Sequence, residues 1–375
     1  MKMIFKNTLT FILLFASCSL TIAQQKTPLI VGDAAPEIRY SKWLKGTPVS
    51  SYEKDRLYVL EFWATWCGPC IAAMPGLSEF ARKHPEVTVI AYNVWEKVGG
   101  RPYESSLPNV EKFVKSMGNN MDFNVAVDNN EEYVSKNWLK NAGISGIPST
   151  MLVKDGKLIW IGSPSGLEAM VASVQSGAQN AAPKVSEEER AKVAATINKQ
   201  ESISENYDKA LAAKDYKGAI AALDKILADH PDMSYGITMK KFTTYLDFLD
   251  EKKGVEVAQN FLATTTIGGN TVANFGTAIA ERTGLKPATY LFGTECLKLY
   301  ISRSKGEVNP LVYDYIAKCY FLAGDYKNAV KNQQVVVEKT RDALTAGKGG
   351  ARITKELVAQ YEETLKEYQA KASRK

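Results

Sequence analysis

The run Cys67-Gly68-Pro69-Cys70 sets two thiols at a spacing suited to dithiol redox chemistry. The apolar, β-rich stretch Leu57 to Trp63 (LYVLEFW) precedes it, and Cys70 to Lys83 has the periodicity of an amphipathic helix. The cysteines therefore fall where a buried strand ends and a helix begins. Amide groups and the macrodipole at a helix N-terminus favour negative charge, which makes Cys67 the candidate thiolate nucleophile. Attack on a disulfide leaves a mixed disulfide on Cys67, and Cys70, one turn into the helix, is placed to resolve it.

A Cys-x-x-Cys pair also serves as half of a zinc site, but zinc needs two further thiolate or imidazole ligands. The chain has two histidines: His84 stands before Pro85 at a helix end, and His230 lies in a distant His-Pro. Neither is a partner for the pair, so no metal is expected. No cofactor is expected either, because the electrons reside in the dithiol.

The elements that position the pair follow from patterning. Val87 to Val94, Asp122 to Val127, Thr150 to Val153 and Leu158 to Ile161 read as further strands, and Asn109 to Ser116 and Glu131 to Asn141 as helices between them. Lys154-Asp155-Gly156-Lys157 is a hairpin signal. The predicted fold is α/β, a mixed sheet flanked by helices, parallel inside with an antiparallel hairpin at one side. A short helix is expected within 163–176, and the small, polar stretch QSGAQNAAP at 175–183 marks a boundary. Ser186 followed by three glutamates reads as a helix start, and the chain is helical from there to its end.

With these elements in place, Trp63-Ala64-Thr65-Trp66-Cys67-Gly68-Pro69-Cys70 resembles the active site of the thioredoxin superfamily. A second motif, Gly143 to Thr150 (GISGIPST), precedes a strand 78 residues after Cys70, where that superfamily carries its cis-proline. The resemblance implies a cis bond at Ile147-Pro148 opposite the dithiol, with the Ile147 backbone free to pair with an extended substrate. It also implies a role for Glu61, six residues before Cys67: a buried acid that accepts a proton on behalf of the resolving cysteine. The lysine that accompanies this acid in thioredoxin is replaced here by Ala91. Trp66, Gly68, Pro69 and Ile147 are the expected substrate contacts, and Trp63 reads as core.

An N-terminal extension at Val31 to Pro36 and a long segment between Trp95 and Phe123 resemble the exported, TlpA-like branch, over residues 29 to 175. Gly-Pro between the cysteines and isoleucine before Pro148 resemble its reducing members. This implies reduction of disulfide-bearing protein substrates, with a membrane thiol electron donor to renew the dithiol.

The helical remainder has Lys214-Asp215-Tyr216 and Gly324-Asp325-Tyr326, each followed by small and apolar residues at helical offsets. These resemble tetratricopeptide turns, although the two copies lie 110 residues apart rather than at a regular repeat. Helical-hairpin arrays present grooves for proteins, so a protein partner on this half is expected, and a binding scaffold with a redox-sensing or vestigial thioredoxin domain is the rival reading. Intact Cys67, Cys70, Glu61 and Pro148 favour the enzyme. Cys296 and Cys319 flank a helix break and are expected as buried free thiols rather than a bridge.

With 375 residues, two domains are the natural expectation, and a formal charge of +6 without a basic block interleaved with aromatics argues against nucleic acid. Lys2 and Lys6, an apolar run from Leu9 to Leu20 and the end Thr21-Ile22-Ala23 have the layout of a signal peptide. Export to a periplasm of the Gram-negative type is expected, in preference to lipid anchoring at Cys18. The expected organisation is a signal at 1–23, the thioredoxin-like domain at 28–175, a linker at 176–185 and the helical domain at 186–375.

Overall fold

The computed structural model describes residues 28–96, 101–177, 185–264, 269–304, 308–348, 350 and 352–374. The expected signal peptide, Cys18 and most of the expected linker lie outside these residues. Among the described residues no helix is long and apolar enough to cross a membrane.

The N-terminal half is built on a six-stranded sheet of β1 (Lys42–Lys45), β2 (Leu57–Trp63), β3 (Val87–Asn93), β4 (Asn124–Val127), β5 (Ser149–Lys154) and β6 (Lys157–Gly162). The strand order is β1-β4-β3-β2-β5-β6. β2, β3 and β4 run parallel, whereas β5 and β6 are antiparallel additions at one side. β1 adds a second antiparallel edge, beside β4, which the sequence pattern does not announce. Every residue of β2 and β3 is buried, as expected of central strands covered on both faces.

One layer is formed by α1 (Gly68–Lys83), α2 (Leu107–Met117) and α3 (Leu167–Gln175), whose buried side chains share a core with Leu57, Val59 and Trp63. Tyr58, Leu60 and Phe62 face the opposite core, where Trp138 packs. The helix expected over 131–141 is present as one helical segment over 133–142, π-wound at Ser135–Leu139 and closed by a 3-10 turn. The buried Asp128 carboxylate accepts from the Val134 and Ser135 amides at 2.9 Å, which satisfies donors of its first turn and ties its start to the end of β4.

Beyond α3 the chain is all helical. Its elements are α4 (Glu187–Ala212), α5 (Tyr216–Asp229), α6 (Ser234–Phe248), α7 (Glu251–Thr264), α8 (Gly269–Ala280), α9 (Pro287–Arg303), α10 (Leu311–Leu322), α11 (Tyr326–Thr345) and α12 (Lys355–Ala372). Ser186 caps α4 in a reciprocal capping box with Glu189. At the two Asp-Tyr turns the aspartate side chain caps the second helix: Asp215 accepts from the Gly218 amide at 2.9 Å and Asp325 from that of Asn328 at 3.1 Å.

The two halves touch along α2 and α12. Thr354 donates to the Ser116 carbonyl, Gln360 Nε2 donates to that of Lys112 at 3.1 Å, and the Arg352 guanidinium lies 5.4 Å from the Phe113 ring centre. Gly118, at φ +51°, ends α2, and a Cβ there would stand 2.8 Å from the Glu356 carboxylate, so the junction closes over a glycine. Elsewhere Arg190 of α4 makes a two-point ion pair with Asp33, at 2.9 and 3.2 Å.

Candidate active site

The parallel strand β2 delivers the chain to its C-terminal end, where Ala64 to Trp66 turn into α1. Cys67 is the N-cap of that helix, with Gly68 and Pro69 in its exposed first turn. A proline there loses no helical hydrogen bond and presets the dihedral, so the sequence between the cysteines starts the helix as well as spacing them. Cys67 and Cys70 are joined by a disulfide with S–S 1.99 Å. The Cys70 amide donates to Cys67 Sγ at 3.2 Å. That donor and the helix N-terminus favour negative charge on Cys67 when the bond is open.

Ile147-Pro148 is cis and leads into β5. The Ile147 carbonyl oxygen lies 3.7 Å from Cys67 Sγ, which brings this loop against the dithiol. Trp66 is among the few large apolar side chains left exposed, at 42%, and its indole N–H donates to the Trp95 carbonyl at 2.8 Å. Trp95 adopts φ +55°, uncommon for a bulky residue, and this turn presents its carbonyl to Trp66. Trp63 is fully buried, 5.5 Å from Phe113 by ring centres, and belongs to the core.

Glu61 is buried in the middle of β2, paired in register with Ala91 on one side and Thr150 on the other. Residues 57, 59 and 63 pack with Cys67 and Cys70, so the period of two along a strand turns Glu61 to that same face. Thr150 Oγ1 donates to Glu61 Oε2 at 2.6 Å, and Oε1 is buried without a partner among the described residues. Burial pushes the carboxyl up to about 8, with only the Thr150 hydrogen bond acting against it. Because Ala91 stands opposite, no cation from β3 holds it ionised.

A second acid, half-buried, was not legible in the sequence. Glu96, just beyond β3, accepts from the Thr65 amide and hydroxyl and from Asn93 Nδ2, each at 2.7 Å. Burial raises its carboxyl, and the Thr65 and Asn93 donors oppose that rise. It therefore fixes the loop two residues ahead of Cys67. The only sequence signal was an acid directly after an apolar strand, because its partner Thr65 is distant in the chain.

Cys296 and Cys319, on the neighbouring helices α9 and α10, are free and buried, and burial pushes each thiol up to about 12. They are inert by that criterion and stand apart from the redox site.

Comparison with known proteins covers the same half of the chain. A family model described as Redoxin matches residues 30–177. The thiol-disulfide oxidoreductase ResA of Geobacillus thermodenitrificans is 31% identical over 161 residues, which are 40% of this chain and 82% of ResA. Protein FixW of Rhizobium leguminosarum is 23% identical over 54% of this chain and 93% of its own. Among solved structures, StoA from Bacillus subtilis aligns over 37% of this chain and 99% of its own, at 23% identity and a TM-score of 0.29.

Proposed function

The chain belongs to the thioredoxin superfamily as a thiol-disulfide oxidoreductase, and from that premise we propose that it is exported and reduces disulfides of extracytoplasmic proteins through Cys67 and Cys70. The observation that carries the reading is the Cys67 environment: a helix N-cap sulfur that accepts from the Cys70 amide and faces the Ile147 carbonyl across the cis-proline loop.

In the reduced enzyme the Cys67 thiolate attacks one sulfur of the substrate disulfide. The substrate S–S bond breaks, one substrate thiolate leaves, and a mixed disulfide forms on Cys67. The Glu61 carboxylate takes the Cys70 proton, relayed by water, and the Cys70 thiolate then attacks Cys67 Sγ. This expels the second substrate thiolate and leaves the Cys67–Cys70 disulfide that the structure contains. Two electrons pass from the dithiol to the substrate, so a thiol donor at the membrane must restore them. Trp66, Gly68, Pro69 and Ile147 form the contact surface for the substrate, with Pro148 holding the Ile147 backbone toward it.

Gly-Pro between the cysteines supports the reducing direction, and the apolar leader at 1–23 supports export to the periplasm. Trapping with Cys70→Ser in the periplasm tests the reading. The variant should accumulate extracytoplasmic proteins as mixed disulfides on Cys67, and Cys67→Ser should hold none. Capture of a membrane thiol donor alone, with no substrate proteins, would refute the reducing direction.

A further inference from the structure

A cleft of about 340 Å³ lies between the two halves of the chain, walled by α2 on one side and by α10 and α12 on the other. Thr65 and Glu96, the pair that fixes the loop ahead of Cys67, line it too. Its position relative to the dithiol follows from the sheet. β2 stands between β3 and β5, and the ends of β2 and β3 and the start of β5 lie at the same end of the sheet. Cys67 follows β2, Glu96 follows β3 and Pro148 precedes β5, so the cleft and the cis-proline loop flank the dithiol on opposite sides. Thr65 at the cleft, the exposed Trp66 and Cys67 are consecutive in the chain, so the cleft opens beside the dithiol.

The lining has a polarity. Glu96 and Glu281 act on each other at the Thr65 end, and Glu367 is exposed at the rim. Lys112, Lys318 and Arg352 gather around Asp314, with Glu281 also acting on Lys318, while Arg101 lines the acidic end and is held near Asp247 and Glu281. None of the three cations around Asp314 forms an ion pair with an acid of this chain among the described residues. Burial pushes the Asp314 carboxyl up and the Lys318 ammonium down, as expected of charges held away from bulk water. Phe113, Tyr315 and Tyr361 supply aromatic surface between the charges. Cations that lack a contact carboxylate, set among aromatic walls, are complementary to an acidic side chain on a polypeptide.

We propose that this cleft binds the polypeptide segment that flanks the reactive cysteine of the substrate, and seats an acidic side chain of that segment among Lys112, Lys318 and Arg352. The helical half is then a substrate selector placed beside the dithiol. This deepens the reductase reading and rests on it for the chemistry.

The test is a single-turnover comparison with the reduced full-length protein and two disulfide-linked peptides that differ only by Asp/Glu against Asn/Gln near the cysteine. The neutral 2-hydroxyethyl disulfide, which has no chain to seat, monitors the dithiol in every variant. The wild type should react about tenfold faster with the acidic peptide, the scale of one charge-assisted contact. Lys318→Met should abolish that preference. Asn109→Trp should do so too, because it fills the cleft from the exposed side of α2 without touching the core. Equal rates for the two peptides in the wild type, or a preference that survives both substitutions, overturns the proposal. Failure of the wild type to reduce even 2-hydroxyethyl disulfide, at a rate no better than Cys67→Ser, identifies the reductase reading itself as wrong.

Discussion

Replacing Glu61 by glutamine tests the proposed proton acceptor. The amide keeps the size of the carboxyl and its oxygen accepts the Thr150 hydroxyl as before, but it has no proton to exchange. With the carboxyl held at about 8, roughly one-tenth of the enzyme carries a Glu61 carboxylate at pH 7 and roughly nine-tenths at pH 9. The base-assisted part of Cys70 deprotonation should therefore rise about tenfold across that interval. General bases contribute on the order of 100-fold or more, and a carboxyl whose pKa lies so near that of a thiol works at the lower end, so Glu61→Gln should slow resolution about 100-fold at pH 8. Mixing reduced protein with an aromatic disulfide such as DTNB separates the steps. The first chromophoric thiol reports attack by Cys67 and the second reports resolution by Cys70. The substitution should slow the second phase and flatten its pH profile, while the first phase keeps the wild-type rate. A second phase with the same rate and pH profile in both proteins would refute the role of Glu61 as base.

The same raised pKa has a thermodynamic signature. The folded state holds the Glu61 proton more tightly than the unfolded chain does, so the stabilisation is fully present below the ordinary glutamate pKa and is lost as pH rises through about 8. Urea unfolding of the oxidised protein should show the wild type losing on the order of 4 kcal/mol more than Glu61→Gln between pH 5 and 9; parallel curves would place the carboxyl in contact with water. Thiol counting tests the helical half. In the native reduced protein Cys67, the thiolate favoured at the helix N-terminus, should be the first thiol an alkylating reagent takes, and Cys296 and Cys319 should react only after denaturation, since burial keeps both thiols protonated.

What the sequence made legible was local. LYVLEFW reads as a central strand because an apolar run of that length has few other homes, and Cys70 to Lys83 reads as a helix because its apolar residues recur at helical spacing. β1 was invisible: Lys42 to Lys45 is only partly buried and becomes a strand because β4 offers it an open edge. The helix expected over 131–141 is there at 133–142, but its π and 3-10 winding could not be read from apolar spacing alone. Glu61 was found by its place in a motif. Glu96 could not be, because what makes it matter is a loop 31 residues away.

Two acids stand near the dithiol, Glu61 within β2 and the half-buried Glu96 beyond β3, and their hydrogen bonds separate them. Glu96 receives three donors, which reward the ionised form and tie the carboxylate to the Thr65 loop. A proton taken up there would loosen the segment that carries Cys67. Glu61 receives one donor and keeps a second oxygen unpartnered and buried, on the face of β2 that packs with the dithiol. That oxygen gains most from a proton, so the acid poorly satisfied by its surroundings is the one suited to exchange protons with Cys70. The fully bonded acid is suited instead to hold Cys67 in register between the cis-proline loop and the cleft. With β2 central, the two carboxylates reach the dithiol from neighbouring strands, Glu61 from within β2 and Glu96 from the segment that follows β3.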